Sequence, residues 1–226
     1  MTPGDILSLI LAIISGVCWT TVYITAIRVG FKEHTYAIPI VALSLNFAWE
    51  GIYGVGGVFA VGNLQSWINF TWAIADAIIV YTYFQFGRSE FPPFLTRQFF
   101  IAGSILVFAV GFAVQAAFIA QFDDMAPVYA AFLQNALMSG LFIGMFISRE
   151  GARGQSLVIA ICKWIGTLAP TISFGILTFT PLVLIVGCVC CVLDLIYIGL
   201  IALAQRNEEA FAELAEPVED SESSDL

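Results

Sequence analysis

Long apolar runs separated by short polar connections make up the chain from near its first residue to about residue 206. An α-helix rises about 1.5 Å per residue, so about 20 apolar residues cross a hydrocarbon layer roughly 30 Å thick. Seven runs reach that length, which predicts an all-α, polytopic membrane protein with seven transmembrane helices. The predicted helices cover residues 6–29, 37–62, 67–86, 99–120, 126–147, 156–179 and 181–204. Between helices six and seven, the uncharged stretch from Thr171 to Pro181 predicts a tight turn.

Basic residues, with one exception, lie at alternate connections between the predicted helices. They occur in the first, third and fifth connections and after the seventh helix, as Arg28, Lys32, Arg88, Arg97, Arg149, Arg153 and Arg206. Because cytoplasmic loops collect Lys and Arg, this pattern predicts an outside N-terminus and a cytoplasmic C-terminus. The exception is Lys163, about two turns inside helix six. It is expected either to snorkel back to the cytoplasmic face, which we favour, or to form a buried ion pair.

Composition supports a membrane protein and restricts its partners. Hydrophobic residues make up 60% of the 226 positions and charged residues 11%, against roughly 25% charged in an ordinary soluble domain. The net charge of -9 comes almost entirely from eight acids in the last twenty residues. The chain therefore divides into a transmembrane domain, 1–206, and an acidic tail, 207–226, which is expected to be disordered. The lipid bilayer is an expected partner, and no nucleic-acid surface is predicted.

The second predicted helix carries an acid deep into the apolar layer. Glu50 lies about 20 Å along this helix, past the centre of the hydrocarbon. Helical spacing places Asn46, Glu50 and Tyr53 on one stripe, with Trp49 beside it. This polar stripe is expected to face protein and not lipid.

Two further acids, Asp76 and Asp194, fall at membrane depth in helices three and seven. An acid at the centre of a membrane helix costs about 2.5–3.5 kcal/mol, so three such residues point to a function. Trp72 lies four residues before Asp76, and Tyr197 lies three after Asp194. We expect all three acids to point into one interior. The alternative, that they only link helices through hydrogen bonds, stays open, above all for Asp76.

The expected interior favours acid chemistry on an apolar substrate. Burial disfavours the charged form of a carboxyl group, so such an acid keeps its proton and can act as a general acid. Aromatic faces stabilise a positive charge by about 0.5–2 kcal/mol each where water is excluded. The aromatic candidates are Trp49, Tyr53, Trp72, Trp164 and Tyr197, and the polar residues that could line the same chamber are Gln115, Gln134 and Asn135. Together they suit carbocation chemistry on a lipid-like substrate.

Motifs for metal or cofactor chemistry are missing from the sequence. The acid pair Asp123-Asp124 lacks the third acid of a DDxxD magnesium motif, and no DxDD sequence occurs. Nor does the chain contain a P-loop, a His-rich cluster or a Gly-x-Ser-x-Gly elbow. We therefore expect no metal and no cofactor.

Four short patches resemble a known enzyme family. They are residues 31–36 (FKEHTY), 46–53 (NFAWEGIY), 153–156 (RGQS) and 194–199 (DLIYIG). With them, roughly residues 1–206 resemble the small integral-membrane terpene cyclases of fungal meroterpenoid and indole-diterpene biosynthesis, the paxilline-pathway cyclase type, and their bacterial relatives. In the last patch, Ile198 interrupts the spacing expected between the tyrosine and the glycine.

The resemblance implies an enzyme that cyclises the polyprenyl chain of a prenylated precursor after protonation of a terminal epoxide or alkene, without metal. It implies that Glu50 and Asp194 are the essential acids, one donating the proton and the other holding the orientation. The other expected site residues are Asn46, Trp49, Tyr53, Trp72, Asp76, Arg153, Trp164 and Tyr197. The expected location is the endoplasmic reticulum membrane in a fungus or the cytoplasmic membrane in a bacterium.

A proton-coupled carrier or sensor is the alternative, since the same buried acids could bind and release protons across a membrane. Small carriers usually contain internal repeats with paired broken helices, which the sequence does not show. A retinal-type sensor would need a lysine in the last helix, and the seventh run has none. We therefore favour the cyclase.

Overall fold

The computed structural model describes the backbone of residues 3–215 and the side chains of residues 3–207, and this part of the chain is helical with no strands. The all-α prediction is thus confirmed. The α-helices are α1 (Pro3–Lys32), α2 (Ile40–Glu50), α3 (Gly57–Ala60), α4 (Leu64–Phe86), α5 (Arg97–Phe122), α6 (Ala126–Ser148), α7 (Leu157–Pro170) and α8 (Pro181–Ala215). The predicted tail begins inside α8, and residues 216–226 of it lie outside the described residues.

Two helices widen into π-helical turns. The turn Gly51–Gly56 joins α2 to α3 without a break, so that one helical rod corresponds to the second predicted helix. The turn Thr171–Leu177 extends α7 directly after Pro170. Proline cannot donate a backbone hydrogen bond and crowds the preceding turn, which accounts for the widening at this point. The first of these turns follows Glu50 immediately.

Four helical stretches of the described residues are long and apolar enough to cross a membrane, namely Pro3–Lys32, Arg97–Ser148, Leu157–Leu177 and Pro181–Asn207. The second of them contains both α5 and α6, which are separated by the turn Asp123–Met125. The two helices fold back on each other, as the hydrogen bond from Gln115 to Gln134 shows. The rods that carry Glu50 and Asp76 are not among the four. Seven spans and the orientation of the termini therefore remain predictions.

Consecutive rods run in opposite directions, so their middle residues meet at one level. Asn46 of α2 donates to Asp76 of α4 at 2.9 Å. Lys163 of α7 lies 2.7 Å from Asp194 of α8. We call the end at which α1 begins the N-terminal end of the bundle, and the end formed by connections 33–39, 87–96 and 149–156 the arginine-rich end.

The half of the bundle next to the arginine-rich end is filled by a hydrophobic core. Its fully buried members come from six helices and the connection 33–39, and they include Ile38, Leu43, Ile79, Tyr83, Phe142, Ile159 and Tyr197. Within a bilayer such side chains hold helices together by close van der Waals packing. This half therefore closes the bundle at one end.

Arg149 ties the connections at the arginine-rich end together. Its guanidinium lies 2.7 Å from the Glu90 carboxylate and donates to the carbonyl oxygens of Tyr36 and Arg153 at 3.1 and 3.0 Å. The central carbon of the guanidinium also lies 4.5 Å from the centre of the Tyr36 ring. A planar, forked cation can bind several acceptors at once, so one arginine holds three connections.

Candidate active site

A cavity of about 390 Å³ lies in the other half of the bundle, toward its N-terminal end. It is enclosed by α1, α2, α4, α6, α7 and the π-turn that follows α7. Its volume falls in the range of roughly 300–1,000 Å³ typical of small-molecule sites. The side chains of its wall with polar or aromatic groups include Trp19, Tyr23, Asn46, Trp49, Glu50, Trp72, Gln134, Asn135 and Thr167. Glu50 is the one carboxyl group among the described residues of this wall.

Glu50 ends α2 and is 3% exposed. The Tyr23 hydroxyl donates a hydrogen bond to its Oε1 atom at 3.3 Å. Its Oε2 atom has no hydrogen-bond partner among the described residues. No cation lies against this carboxyl group in that part of the chain, so the group has one neutral donor and one free oxygen.

A chain of amide side chains leads to this acid. Gln115 donates to Gln134 at 2.8 Å, Gln134 donates to the Asn46 oxygen at 3.3 Å, and the Asn46 nitrogen donates to the Tyr23 oxygen at 2.6 Å. Gln134 lies in the cavity wall as expected, whereas Gln115 lies one layer behind it. In each of these hydrogen bonds, the donor belongs to the residue that is farther from Glu50.

Asp76 belongs to the same cluster but not to the cavity wall. It is fully buried, and its Oδ2 atom accepts from the Asn46 amide at 2.9 Å, while Oδ1 has no partner among the described residues. Asn46 therefore links the acids of α2 and α4, as the expectation of a shared interior requires. Asp76 is held behind Asn46.

The prediction that all three acids share one chamber is wrong for Asp194. Its carboxylate lies 2.7 and 3.0 Å from Lys163, which also donates to Ser139 at 2.6 Å. Lys163 is fully buried, so the favoured snorkelling is also wrong. Either charge alone would be costly in an apolar interior, and pairing removes most of that cost. Asp194 does not lie in the cavity wall.

The tryptophan and tyrosine rings of the cavity wall come from α1, α2 and α4. The Tyr23 ring stacks on Trp72 with centroids 5.8 Å apart and lies 6.4 Å from Trp19. Trp49 is fixed by a 3.0 Å hydrogen bond from its indole nitrogen to the carbonyl oxygen of Pro127. Of the predicted aromatic residues, Trp49 and Trp72 thus line the cavity.

Two predicted aromatic residues lie on the far side of the bundle from the cavity wall. The Trp164 indole donates to the Cys191 sulfur at 3.2 Å. The Tyr197 ring packs on Phe142 with centroids 5.1 Å apart, inside the closed half. Helical spacing placed both beside an acid or a lysine, but that spacing could not show that the ion pair itself faces away from the cavity.

Tyr53 and Arg153 also lie outside the cavity wall. Tyr53 packs beside Trp49 with centroids 4.9 Å apart, and its hydroxyl has no partner among the described residues. Arg153 is largely exposed at the arginine-rich end, 3.8 Å from Glu90. Arg153 therefore lies at the opposite end of the bundle from the cavity.

Trp19 and Tyr23 of α1 are site residues that the sequence analysis missed. Their spacing of four places them on one helical face, which was a usable signal. The first predicted helix carries no acid in its apolar part, so its aromatic residues resemble ordinary lipid contacts.

No group of three or more His, Cys, Asp or Glu side chains that could hold a metal ion occurs in the described part of the chain. The metal-independent reaction remains a prediction.

Fold and site together define an all-helical membrane protein that keeps one acid in the wall of an aromatic-lined cavity. The sequence profile of the Pyr4-like transmembrane terpene cyclases matches residues 4–207. This chain belongs to that family, and the resemblance inferred from the four patches is confirmed. The protein is accordingly an integral membrane terpene cyclase.

Individual relatives agree with the family match. The Pyr4-family terpene cyclase mfmH of Annulohypoxylon moriforme is 31% identical over 170 residues, 73% of this chain and 68% of the relative. Terpene cyclase macJ of Penicillium terrestre is 26% identical over 166 residues, 71% and 64% of the two chains. Terpene cyclase pyr4 of Aspergillus fumigatus is 27% identical over 209 residues, 85% of each chain. No solved structure is significantly similar to this chain.

Proposed function

We propose that this protein cyclises the polyprenyl chain of a prenylated meroterpenoid or indole-terpenoid precursor, and that Glu50 starts the reaction by protonating a terminal epoxide or alkene. The proposal rests on one observation. Glu50 is the single carboxyl group among the described residues that line the cavity. A buried acid without a cationic partner keeps its proton, as a general acid must.

The cavity wall suits the intermediates of such a reaction. Trp19, Tyr23, Trp49 and Trp72 present aromatic rings around a cavity whose wall also carries amide and hydroxyl side chains. The ring faces stabilise a carbocation by about 0.5–2 kcal/mol each when water is excluded.

The reaction conserves all atoms of the substrate. Glu50 transfers its proton to the epoxide oxygen, and the carbon–oxygen bond breaks with its electron pair remaining on oxygen, which becomes a hydroxyl. The double bonds of the chain then supply electron pairs for the new carbon–carbon bonds. Loss of a proton from the last cation gives an isomer of the substrate and returns one proton for the one consumed. With an alkene start, the proton goes to carbon instead.

The two essential acids implied by the resemblance take different roles in this proposal. Glu50 is the donor, because it lies in the cavity wall. Asp194 acts by holding Lys163 and so fixes α7 against α8. Thr167 of α7 lies in the cavity wall one turn beyond that lysine, so a shift of α7 would change the shape of the cavity.

The test is cyclisation by host membranes that contain the protein, supplied with farnesylated and geranylgeranylated precursors with and without a terminal epoxide. We expect isomers of unchanged mass from the wild type without added metal. Glu50→Gln keeps the size of the side chain and removes the acid, so it should lower the rate by about 100- to 10,000-fold. Asp124→Asn, an exposed acid in the turn before α6, is the matched control and should retain full activity.

Two results would contradict the proposal. One is a Glu50→Gln variant that cyclises normally. The other is a wild type that turns over no precursor while Glu50→Gln abolishes proton-driven solute uptake into vesicles, which would favour the carrier.

A further inference from the structure

We propose that Tyr23 is a positioning residue for the proton transfer, whose hydroxyl stabilises the Glu50 carboxylate that remains once the proton has left. This inference rests on the proposed role of Glu50 as the acid. Tyr23 lies on α1, in none of the four patches that carry the family resemblance.

The hydrogen bonds around Tyr23 fix the direction of its own proton. Asn46 donates to the Tyr23 oxygen at 2.6 Å, so that oxygen acts as an acceptor toward α2. The single hydroxyl proton is then free to point at Glu50 Oε1, 3.3 Å away. Tyr23 is 3% exposed, so water does not compete freely for that proton.

The amide of Asn46 is itself held in the required orientation. Gln134 donates to the Asn46 oxygen at 3.3 Å, which leaves the Asn46 nitrogen to face Tyr23 and Asp76. Gln134 in turn accepts from Gln115 at 2.8 Å. The hydrogen bonds thus fix the orientation of three side-chain amides, each from a different helix. Exchanging the oxygen and nitrogen of any one amide would place two acceptor oxygens against each other.

The last bond in the chain should tighten when Glu50 becomes charged. At 3.3 Å, the contact between Tyr23 and Glu50 is longer than an ordinary bond between a hydroxyl and an oxygen. A hydroxyl that donates to a carboxylate shortens to about 2.5–2.7 Å and binds about twice as strongly. The interaction therefore strengthens when Glu50 loses its proton, and this is the change that lowers the barrier.

The ring of Tyr23 packs in the cavity wall independently of its hydroxyl group. The role of the hydroxyl can therefore be tested by itself. The ring packs against Trp72 and Trp19. Tyr23→Phe keeps these ring contacts and removes only the hydroxyl. Tyr81→Phe is a matched control, because Tyr81 is exposed and its ring packs on Phe31 away from the cavity.

The experiment compares steady-state cyclisation by Tyr23→Phe, Tyr81→Phe, Glu50→Gln and the wild type. Loss of a hydrogen bond to a charge that forms only in the transition state should lower kcat by about 10- to 100-fold in Tyr23→Phe. The KM should stay at the wild-type value, because the ring contacts in the cavity wall do not change. The melting temperature should fall only slightly, because the buried hydrogen bonds of the hydroxyl are lost while the Asn46 amide keeps Asp76 as a partner. Tyr81→Phe should match the wild type in all three quantities.

An infrared measurement reports on the interaction directly. The carbonyl stretch of protonated Glu50 is obtained as the difference between spectra with Glu50 and with Glu50→Gln. It should move to higher frequency in the Tyr23→Phe background, because a hydrogen bond to the carboxyl group has been removed. If the wild type lacked this hydrogen bond and Tyr23→Phe lowered kcat only by disturbing the fold, the carbonyl band would not shift in this way.

The outcomes separate this inference from the proposed function. If Glu50→Gln is active, the proposed function fails. If Glu50→Gln is inactive while Tyr23→Phe keeps the wild-type kcat and the wild-type carbonyl band, Glu50 remains the acid and the role of Tyr23 is overturned. A raised KM with unchanged kcat would also overturn it, since Tyr23 would then act in binding.

Discussion

At the scale of single residues, the neighbours of a buried acid decide what it can do. Asp194 lies 2.7 Å from a buried lysine, which occupies its carboxyl group. Glu50 faces a neutral tyrosine and has one unpartnered oxygen among the described residues. Two acids that look alike in the sequence are thus suited to different roles.

The ion pair between Lys163 and Asp194 gives a prediction about stability. Asp194→Asn leaves the lysine charge buried and unpaired, which costs about 3–5 kcal/mol. The melting temperature of the purified protein in detergent should fall by roughly 6–20 °C. The double variant Lys163→Met with Asp194→Leu removes both charges and should recover most of the stability, and with it the cyclase activity.

An inactive Asp194→Asn variant with the wild-type melting temperature would contradict this explanation. So would a stable double variant without activity. Either result would mean that Asp194 takes part in the chemistry and not only in packing.

At the scale of helices, close backbone contacts place the site residues. Gly54, in the π-turn after Glu50, lies so near α4 that a Cβ atom there would be 2.6 Å from the carbonyl carbon of Asn69. On the other side of α2, a Cβ atom at Gly111 of α5 would be 2.6 Å from the carbonyl oxygen of Ser44. Glycine at these two positions lets the rod that carries Glu50 fit between its neighbours.

Substitution of Gly54 by alanine should separate α2 from α4. The clash is with backbone, which cannot rotate away, so overpacking should cost about 1–3 kcal/mol. Because α4 carries Trp72 and Asp76, the cyclisation rate should fall together with the melting temperature. Gly56→Ala in the same turn meets nothing within 4 Å and is the matched control.

Alanine is the better helix former by up to about 1 kcal/mol, so Gly56→Ala should leave the melting temperature unchanged or slightly higher. Equal losses in the two alanine variants would show that glycine is needed for the shape of the π-turn and not for the contact with α4.

The sequence predicted the positions of the helices better than the contacts between them, and the reason is physical. Length and apolar character are local properties, and each predicted run corresponds to one helical rod. Which residues meet depends on the rotation of each rod about its axis, which local spacing does not fix. The spacing placed Asp194 and Lys163 at membrane depth without showing that they face each other. Similarly, it showed the stripe of Asn46 and Glu50 but not that Tyr23 completes it.

At the scale of the whole molecule, the bundle has one packed half and one hollow half. The core around Phe142 and Tyr197 fills the half next to the arginine-rich end, and the cavity occupies the other. The charges of the arginine-rich end predict that the packed half lies toward the cytoplasm.

The predicted orientation can be tested with single cysteines and a membrane-impermeant maleimide. Asp124→Cys lies in an exposed turn at the N-terminal end, and Ser89→Cys lies in an exposed turn at the arginine-rich end. In sealed vesicles of cytoplasmic-side-out orientation, Ser89→Cys should be labelled at once and Asp124→Cys only after detergent is added. The parent protein gives the background of its natural cysteines. The reverse labelling pattern would overturn the orientation.

The packed half of the bundle closes one end of the cavity. Tyr23 and Asn46 lie at its inner end, near Glu50, whereas Ala12, Gln65 and Phe174 lie toward the N-terminal end of the bundle. If the proposed polyprenyl chain enters from the N-terminal end of the bundle, its far tip reaches Glu50 and its head group stays near Ala12, Gln65 and Phe174. The cavity then contacts the polyprenyl chain while the head group remains outside, so the shape of the head group would matter less than the length of the chain.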